Sequence, residues 1–510
     1  MKSILKAAAF AALAGIALPN FAVAQTAGGA IDVATIGEPP TLDPMTSTAD
    51  LVGIITQHIF ETLYTFDANW AVTPLLAADM PEISEDGTVY TIALREGVTF
   101  HDGSSMTAED VVASLERWLR IASRGKQAAT VVETVSAVGD LTVEIRLNGP
   151  YAPLLSLLSL NNSAAIVIPA EIAADDVMES FIGTGPYQLA ERRPDQYIQV
   201  TRFEDYASRE GEANGYGGAR HQYLDEIRFV PVPDPNTRIE GAVAGQFDYV
   251  DSIAVEAYDR IAGGNTDPVL LAPFGWPVFV MNTAEGVNAD VQVRKAIQAA
   301  LAPHDMMLAA FGSEDFFSID GAMYPEGYVW HTQAGTDPYK PMGDNDLAVQ
   351  LREGSSYDGS PIRVLTSRQY EFHYTMAQVA EAYLEAAGFD VQLDVVEWAT
   401  LTQRRTDPAL WDIYITHSPF LPEPSLIGIM SDTSPGWWVS DTKHAALEAF
   451  NAEADPDARV ALWAAVQEAV YEEVPAYKVG NFNALAAQSP ELQGVVPAPW
   501  PYFWNAYIQE

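Results

Sequence analysis

The chain of 510 residues contains no cysteine. It therefore forms no disulfide, although disulfides are common in exported proteins, and it offers no thiol to which a lipid anchor could be attached. A chain of this length buries enough apolar surface to fold without such cross-links. We expect it to form two or more domains.

Basic residues are scarce as well. There are 27 lysines and arginines against 69 aspartates and glutamates, which gives a formal net charge of −42. The electrostatic field of so large a negative charge repels phosphate backbones and anionic lipid headgroups, so nucleic acid and membrane surfaces are poor partners. The charge favours solubility. A second interpretation is that it attracts cationic solutes, but the charge of the whole chain does not give the sign inside a pocket.

Long apolar runs are absent except at the amino terminus. Lys2 and Lys6 precede the apolar stretch 7–18, and Ala-Val-Ala at 22–24 stands directly before Gln25. A basic start, a short apolar middle and small residues at a cleavage site indicate a secretory signal peptide. The stretch is shorter than the ~20 residues that cross a bilayer. We therefore predict a signal peptide at 1–24 and export to the periplasm without a lipid anchor.

Motifs of catalysis and of metal binding are missing too. The sequence has no GxSxG nucleophile elbow and no HExxH zinc motif, and its eight histidines lack short metal-ligand spacings. The stretch His-Asp-Gly-Ser at 101–104 would need convergent partners for catalysis or metal binding, and the sequence identifies none. We predict no catalytic residue, no metal site and no cofactor, which leaves a secreted hydrolase as a remote alternative.

Strands and helices are mixed along the chain. The stretches 88–94 and 141–147 alternate apolar and polar residues, as half-buried strands do. Thr-Ala-Glu-Asp at 107–110 has the spacing of a capping box and predicts a helix start. The apolar residues Val52, Ile55, Ile59 and Leu63 are spaced as one face of a helix.

One β-α-β unit is especially clear. An apolar strand at 362–365 is followed by a helical face at 376–387, a stop at Gly388 and an alternating strand at 389–395. Such a crossover joins parallel strands. The predicted fold class is therefore α/β or mixed α+β, with more than one sheet.

Many short stretches, in one order along the chain, resemble the family-5 extracellular solute-binding proteins of ABC importers, the oligopeptide-, dipeptide- and nickel-binding group. The stretches are EPPTLDP (38–44), ETLY (61–64), PLLA (74–77), DGT (86–88), LREGVTFHDG (94–103), TAEDV (107–111), GTGPY (183–187), RFEDY (202–206), GQFD (245–248), VRKAI (293–297), AAG (386–388), EW (397–398) and the tail 494–507.

This resemblance implies a periplasmic-binding-protein fold of two α/β lobes, hinged by two strands. Lobe I would comprise 25–270, with an extra subdomain at about 60–185, and lobe II would comprise 271–481. Residues 482–510 would return to lobe I. The resemblance also implies a protein, expected to be monomeric, that binds a small solute or peptide between the lobes and delivers it to the ABC permease subunits. A chemoreceptor-linked or chaperone-like binder would share the fold.

Eleven residues fall in segments that the resemblance places on or near the crevice walls. Large flat side chains give contact area at low entropic cost, and an arginine near a helix start can bind a ligand carboxylate. The candidates are Met45, Thr46, Trp276, Arg368, Tyr370, Trp398, His417, Phe420, Glu423, Trp437 and Trp438.

The loop after the predicted strand 412–416 departs from the family. Peptide-binding relatives carry an aspartate there, which pairs with the α-amino group of the peptide, but 417–424 reads HSPFLPEP. Either Glu423 replaces this aspartate or a free amine is not recognised. A peptide or peptide-like solute is the first expectation. An opine, a sugar or a nickel chelate is the alternative.

Overall fold

The computed structural model describes residues 27–509, so the predicted signal peptide at 1–24 lies outside the described residues. The strands are β1 Ala30–Thr35, β2 Tyr64–Phe66, β3 Val72–Pro74, β4 Glu82–Ile83, β5 Val89–Ala93, β6 Val132–Gly139, β7 Thr142–Leu147, β8 Tyr187–Arg193, β9 Tyr197–Arg202, β10 Ala213–Asn214, β11 Gly217–Gly218, β12 Glu226–Pro231, β13 Tyr249–Ile253, β14 Asp267–Met281, β15 Phe317–Ser318, β16 Ile362–Thr366, β17 Val391–Val395, β18 Ile413–Pro419, β19 Ala476–Lys478, β20 Asn481–Gln488, β21 Leu492–Gln493 and β22 Tyr507–Ile508.

Helices lie between the strands and cover the sheets. They are α1 Asp50–Thr56, α2 Ala108–Ile121, α3 Ser123–Ala128, α4 Leu154–Leu157, α5 Ala170–Ala173, α6 Pro235–Ala244, α7 Tyr258–Ala262, α8 Val291–Ala300, α9 Pro303–Phe311, α10 Asn345–Glu353, α11 Glu371–Ala386, α12 Trp398–Arg404, α13 Asp441–Ala452 and α14 Pro456–Glu473. Within the described range, no helix combines the length and the apolar character that a membrane span requires.

The largest sheet runs through both lobes. Its strand order is β17-β16-β18-β14-β20-β13-β1-β12-β9-β8, with β15 added on β20 and β19 on β14. Strands from β13 to β8 belong to lobe I, and strands from β17 to β18 belong to lobe II. The predicted α/β class and the two-lobed arrangement are confirmed.

Two neighbouring strands connect the lobes. The first half of β14 pairs with β20, and its second half pairs with β18 in lobe II. The register between β14 and β20 shifts between Leu271 and Gly275. The predicted lobe boundary at 270/271 lies beside this shift, and the exact domain bounds stay predictions.

The predicted β-α-β unit forms as expected. Strands β16 and β17 pair in parallel, and α11 connects them. Gly388 follows the helix with φ +86°, a backbone angle that residues with a Cβ rarely adopt. Apolar periodicity and a glycine stop were sufficient to predict this unit.

The predicted extra subdomain contains a separate antiparallel sheet of order β4-β5-β7-β6, against which α2 packs. The helix starts at the predicted capping box, in which Thr107 and Asp110 bond to each other's backbone N–H groups. Trp118 is fully buried on this helix, and its Nε1 donates to the carbonyl of Ser163 at 2.8 Å.

The helical stripe expected over 52–63 is wrong beyond its first half, since α1 ends at Thr56. The backbone carbonyls of His58 and Ile59 accept hydrogen bonds from Tyr187 and Gly185, at 2.9 Å each. These long-range partners replace the bonds that would have continued the helix. Apolar spacing alone could not reveal this competition.

The carboxyl-terminal tail packs on lobe I and buries His58. The backbone N–H of Phe503 donates to Nε2 of His58 at 3.0 Å, and Nδ1 lies 3.0 Å from the carbonyl of Ile54. These partners place the imidazole proton on Nδ1. Burial lowers the pKa of His58 to about 3, so the ring is neutral at neutral pH.

We therefore expect His58 to make stability depend on pH. Its unfolded-state pKa of about 6.5 lies above the native value, so the unfolded chain binds the additional proton as pH falls below about 6.5. Between pH 6.5 and 4 this single group costs the native state up to about 3 kcal/mol. Urea unfolding of His58→Gln should show a correspondingly weaker pH dependence than the wild type. The exposed His221→Gln should retain the wild-type slope, and an unchanged slope in His58→Gln would refute the assignment.

Candidate functional site

The two lobes touch along a surface that we call the seam. Leu421 and Leu426 of lobe II pack into the hydrophobic core of lobe I and its subdomain. Arg124 Nη1 donates to the carbonyl of Leu426 at 3.2 Å, and Gln127 Nε2 donates to that of Ser425 at 3.1 Å. The lobes are therefore closed on each other.

The lobe II side of the seam is aromatic. The ring of Tyr370 lies 4.6 Å from that of His417 and 5.1 Å from that of Trp398, measured between centroids, and the ring of Phe372 lies 4.4 Å from that of His373. These residues belong to the start of α11, the start of α12 and the end of β18. The parallel strands β16 and β18 end at this edge, which is where open α/β sheets bind ligands.

Two histidines pair within this aromatic wall. Nε2 of His373 lies 3.0 Å from Nδ1 of His417. Burial lowers the pKa of His417 to about 4, and burial together with His417 lowers the pKa of His373. Both rings are therefore neutral at neutral pH, and one donates to the other. Among residues 27–509, no group of three or more potential metal ligands is assembled.

The lobe I side of the seam carries two half-buried carboxylates. Asp50 is the first residue of α1, and it accepts hydrogen bonds from Trp500 Nε1 at 2.7 Å and from Asn162 Nδ2 at 3.1 Å. Asp251 lies in β13, where the register with β20 is irregular. Burial, followed by the charges of Asp50 and Asp251, raises the pKa of Tyr370. The hydroxyl of Tyr370 is thus within electrostatic range of both carboxylates. Asn162, which donates to Asp50, also accepts from Arg124, whose guanidinium reaches the carbonyl of Leu426 in lobe II.

Asp251 is directed by a local distortion of its strand. The next residue, Ser252, has φ +53°, which is uncommon for a residue other than glycine. Such β-bulges occur next to binding sites, where they re-aim a side chain. Because β13 pairs in parallel with β1, this bulge lies at the carboxyl edge of the lobe I sheet.

Sequence analysis missed both carboxylates. The signal that could have found Asp251 is its place at the end of a strand. Asp50 gave no such signal in the sequence, because an aspartate is common at the start of a helix for reasons of helix stability alone.

Three of the sequence candidates lie on the aromatic wall, namely Tyr370, Trp398 and His417. Arg368 is exposed, and its guanidinium lies 4.0 Å above the ring of Tyr374. Thr46 is exposed too, and its hydroxyl donates to the carbonyl of Asp43 at 3.0 Å.

Four further candidates are packed into cores. Met45 is fully buried in lobe I, and its sulfur lies 3.0 Å from Nη1 of Arg117. Trp276 and Phe420 belong to a hydrophobic core cluster within lobe II. Trp438 belongs to the same cluster, and its Nε1 donates to a carboxylate oxygen of Glu473.

Trp437 packs against the core cluster of lobe II that contains Trp276, Phe420 and Trp438. It is half-buried, and its ring stacks on that of Trp411 at 5.6 Å. The sequence could not separate such packed aromatic residues from those that line the seam.

Glu423 is held by an ion pair inside lobe II. Its two oxygens accept from Arg459 at 2.7 and 3.0 Å, and its side chain is 4% exposed. A ligand amine would have to compete with a bidentate guanidinium, which is among the stronger hydrogen-bonding arrangements in proteins. We therefore do not propose Glu423 as the residue that binds an amine of the solute.

A small cavity lies inside lobe I, apart from the aromatic wall. Glu61, Arg220, Tyr216 and Trp500 are among its lining residues, and its volume is about 40 Å³. This volume holds a few water molecules at most. This cavity is therefore too small for a peptide or an opine.

Comparison with known proteins agrees with this architecture. The family described as bacterial extracellular solute-binding proteins, family 5 Middle, matches residues 71–436. A probable peptide ABC transporter periplasmic-binding protein of Sinorhizobium fredii is 26% identical over 524 residues, which cover 98% of this chain and 97% of the relative.

Solved structures share the fold. The periplasmic binding protein DppA of Helicobacter pylori, in complex with the peptide STSA, superposes with a TM-score of 0.83 at 20% identity, covering 95% of this chain and 99% of that one. The protein AgaA of Agrobacterium tumefaciens R10, in complex with agropinic acid, gives 0.81 at 23% identity, covering 94% and 99%. The chain belongs to the family-5 extracellular solute-binding proteins and is the substrate-binding, non-enzymatic component of an ABC importer.

Proposed function

We propose that this protein captures a peptide or peptide-like small solute in the seam between its lobes and delivers it to the permease. It does so in the periplasm, as a monomer, after removal of the signal peptide at 1–24, and without a nucleic-acid partner. The observation that carries the proposal is the seam itself, where an aromatic wall on lobe II lies within electrostatic range of two carboxylates on lobe I.

The mechanism follows from where the contacts lie. A solute in the seam touches both walls only when the lobes are closed, so it stabilises the closed state by its difference in affinity for the two states. Arg124 and Gln127 donate to lobe II carbonyls across the seam, so separation of the lobes would break these bonds. A permease that recognises the closed arrangement of the lobes can then accept the loaded protein without recognising the solute itself.

The choice of a peptide rests on relatives. The Sinorhizobium relative is named as a probable peptide-binding protein, and the Helicobacter structure contains a peptide. One observation favours a non-peptide solute instead. The loop 417–424 lacks the aspartate of the peptide-binding pattern, and Glu423 is already paired with Arg459. An opine is the second candidate, since the Agrobacterium structure contains one.

A thermal-shift screen of refolded, ligand-free protein tests the proposal. The probes are dipeptides, longer peptides, opines, oligosaccharides and nickel with histidine. A solute that binds only the native state stabilises it by about 2.7 kcal/mol at a hundredfold excess over Kd, so the correct class gives a clear rise in Tm. We expect peptides to produce it. A rise with opines or sugars alone would refute the peptide assignment and leave the transport role intact.

A further inference from the structure

We propose that the seam selects solutes with a cationic group, and that lobe I binds this group through Asp50 and Asp251. The inference rests on the proposed function, because it assumes that the solute occupies the seam. It moves the recognition of positive charge from lobe II, where the family pattern places an aspartate, to the opposite wall.

Neither carboxylate has an ionic partner within residues 27–509. Asp50 accepts only from the neutral donors Trp500 and Asn162, and Asp251 accepts from the hydroxyl of the adjacent Ser252 at 3.3 Å. By contrast, the buried acids Asp43, Glu61, Asp412 and Glu423 are each paired with an arginine. Two partly buried carboxylates without an ionic partner provide a place for a cationic group of the solute.

The two nearest arginines are engaged elsewhere. The guanidinium of Arg124 donates to the side chain of Asn162 at 3.1 Å and to the carbonyl of Leu426 at 3.2 Å. That of Arg238 donates to the carbonyls of Val232, Pro233 and Ser252, at 2.8 to 3.2 Å. Among the described residues, neither arginine donates to Asp50 or Asp251, so neither forms an ion pair with these carboxylates.

The electrostatics of the closed seam agree with this geometry. Burial raises the pKa of both Asp50 and Asp251, and each is more weakly stabilised by a nearby arginine. The charge of Asp50 adds to the rise at Asp251, so the two acids interact. A cation placed between them would reverse the effect of burial by favouring both ionised forms.

The opposite wall suits the same group. Tyr370 and Trp398 present aromatic rings, which attract ammonium and guanidinium groups by several tenths to about 2 kcal/mol. The two histidines of this wall are neutral, as their lowered pKa values require, so they do not repel a cation. The wall on lobe II supplies contact area, and lobe I supplies charge.

The experiment compares a casein hydrolysate with the same hydrolysate after acetylation of its amines, and adds octopine as a guanidinium-bearing non-peptide. Thermal shift and equilibrium dialysis are measured on the full chain. Buffers contain 0.5 M NaCl, which cuts the Debye length to about 4 Å and screens the net charge of the whole protein. The variants are Asp50→Asn and Asp251→Asn. The control is Asp248→Asn, a half-buried acid of the same lobe that precedes β13, at the end away from the bulge.

We expect the wild type and Asp248→Asn to bind the untreated hydrolysate and to lose at least tenfold in affinity for the acetylated one. Asp50→Asn and Asp251→Asn should bind the untreated hydrolysate at least tenfold more weakly than the wild type does. Without solute, both variants should keep or exceed the wild-type Tm, since each loses an unpaired half-buried charge. This second readout separates a ligand contact from a structural one, which would lower Tm.

Each of the other outcomes supports or overturns the peptide proposal or the cation inference. Equal binding of both hydrolysates by the wild type and by both variants would overturn the selection for cations and leave the peptide proposal standing. Binding of octopine alone, lost in Asp50→Asn and Asp251→Asn, would overturn the peptide proposal and support the cation inference. A lower solute-free Tm with unchanged affinity would assign the two acids a structural role and overturn the inference.

Discussion

Replacement of Arg117 by methionine is expected to lower the free energy of unfolding by about 3–5 kcal/mol. The side chain is fully buried, and Nη2 donates to Oδ2 of Asp43 at 2.6 Å. Further bonds reach the carbonyls of Asp175 and Asp176, at 2.8 and 2.9 Å. The methionine fills the volume but leaves Asp43 as an unpaired buried charge. Urea unfolding followed by circular dichroism measures the difference.

Arg120→Met is the matched control on the same helix. Arg120 pairs with Asp176 at 3.0 Å, but its side chain is 47% exposed and that of Asp176 is 71% exposed. Exposed pairs contribute about 0–1 kcal/mol. If Arg117→Met and Arg120→Met differed by less than 1 kcal/mol, the buried pair of Arg117 and Asp43 would contribute no more to stability than the exposed pair.

Replacement of Tyr370 by alanine is expected to weaken solute binding by at least 30-fold, or about 2 kcal/mol. Its ring touches those of Trp398 and His417, and its hydroxyl is within electrostatic range of Asp50 and Asp251. It therefore contacts two residues of the aromatic wall and also senses the charges of lobe I. Isothermal titration with the solute that gives the largest thermal shift measures the loss.

Trp437→Ala serves as the control for this variant. Trp437 is a half-buried aromatic residue of the same lobe, but it stacks on Trp411, away from the aromatic wall. Its removal should lower Tm and leave the affinity of the folded protein within about threefold of the wild type. A larger loss of affinity in Trp437→Ala than in Tyr370→Ala would place the solute elsewhere in lobe II.

Local patterns explain which parts of the fold could be predicted. The unit of β16, α11 and β17 was predictable because its apolar spacing, its glycine stop and its final packing all agree. The apolar spacing over 52–63 predicted too long a helix, because the carbonyls of His58 and Ile59 accept hydrogen bonds from residues more than 120 positions away. Only the folded arrangement reveals that competition.

The candidate site was predictable in part, for a similar reason. Tyr370, Trp398 and His417 follow or precede recognisable strands, so their place at a sheet edge could be inferred. Glu423 looked like an amine ligand because its partner Arg459, 36 residues later, could not be assigned from spacing. Asp50 and Asp251 stand 201 residues apart, and only the folded structure shows that both lie within electrostatic range of Tyr370.

Small-angle X-ray scattering tests most directly whether a solute closes the two lobes on each other. The protein is unfolded and refolded to remove bound solute, then measured alone and with a saturating amount of the solute that gives the largest rise in Tm. The account predicts that the radius of gyration falls on binding, because the lobes close over the seam. An unchanged radius of gyration, with the same solute still raising Tm, would contradict it.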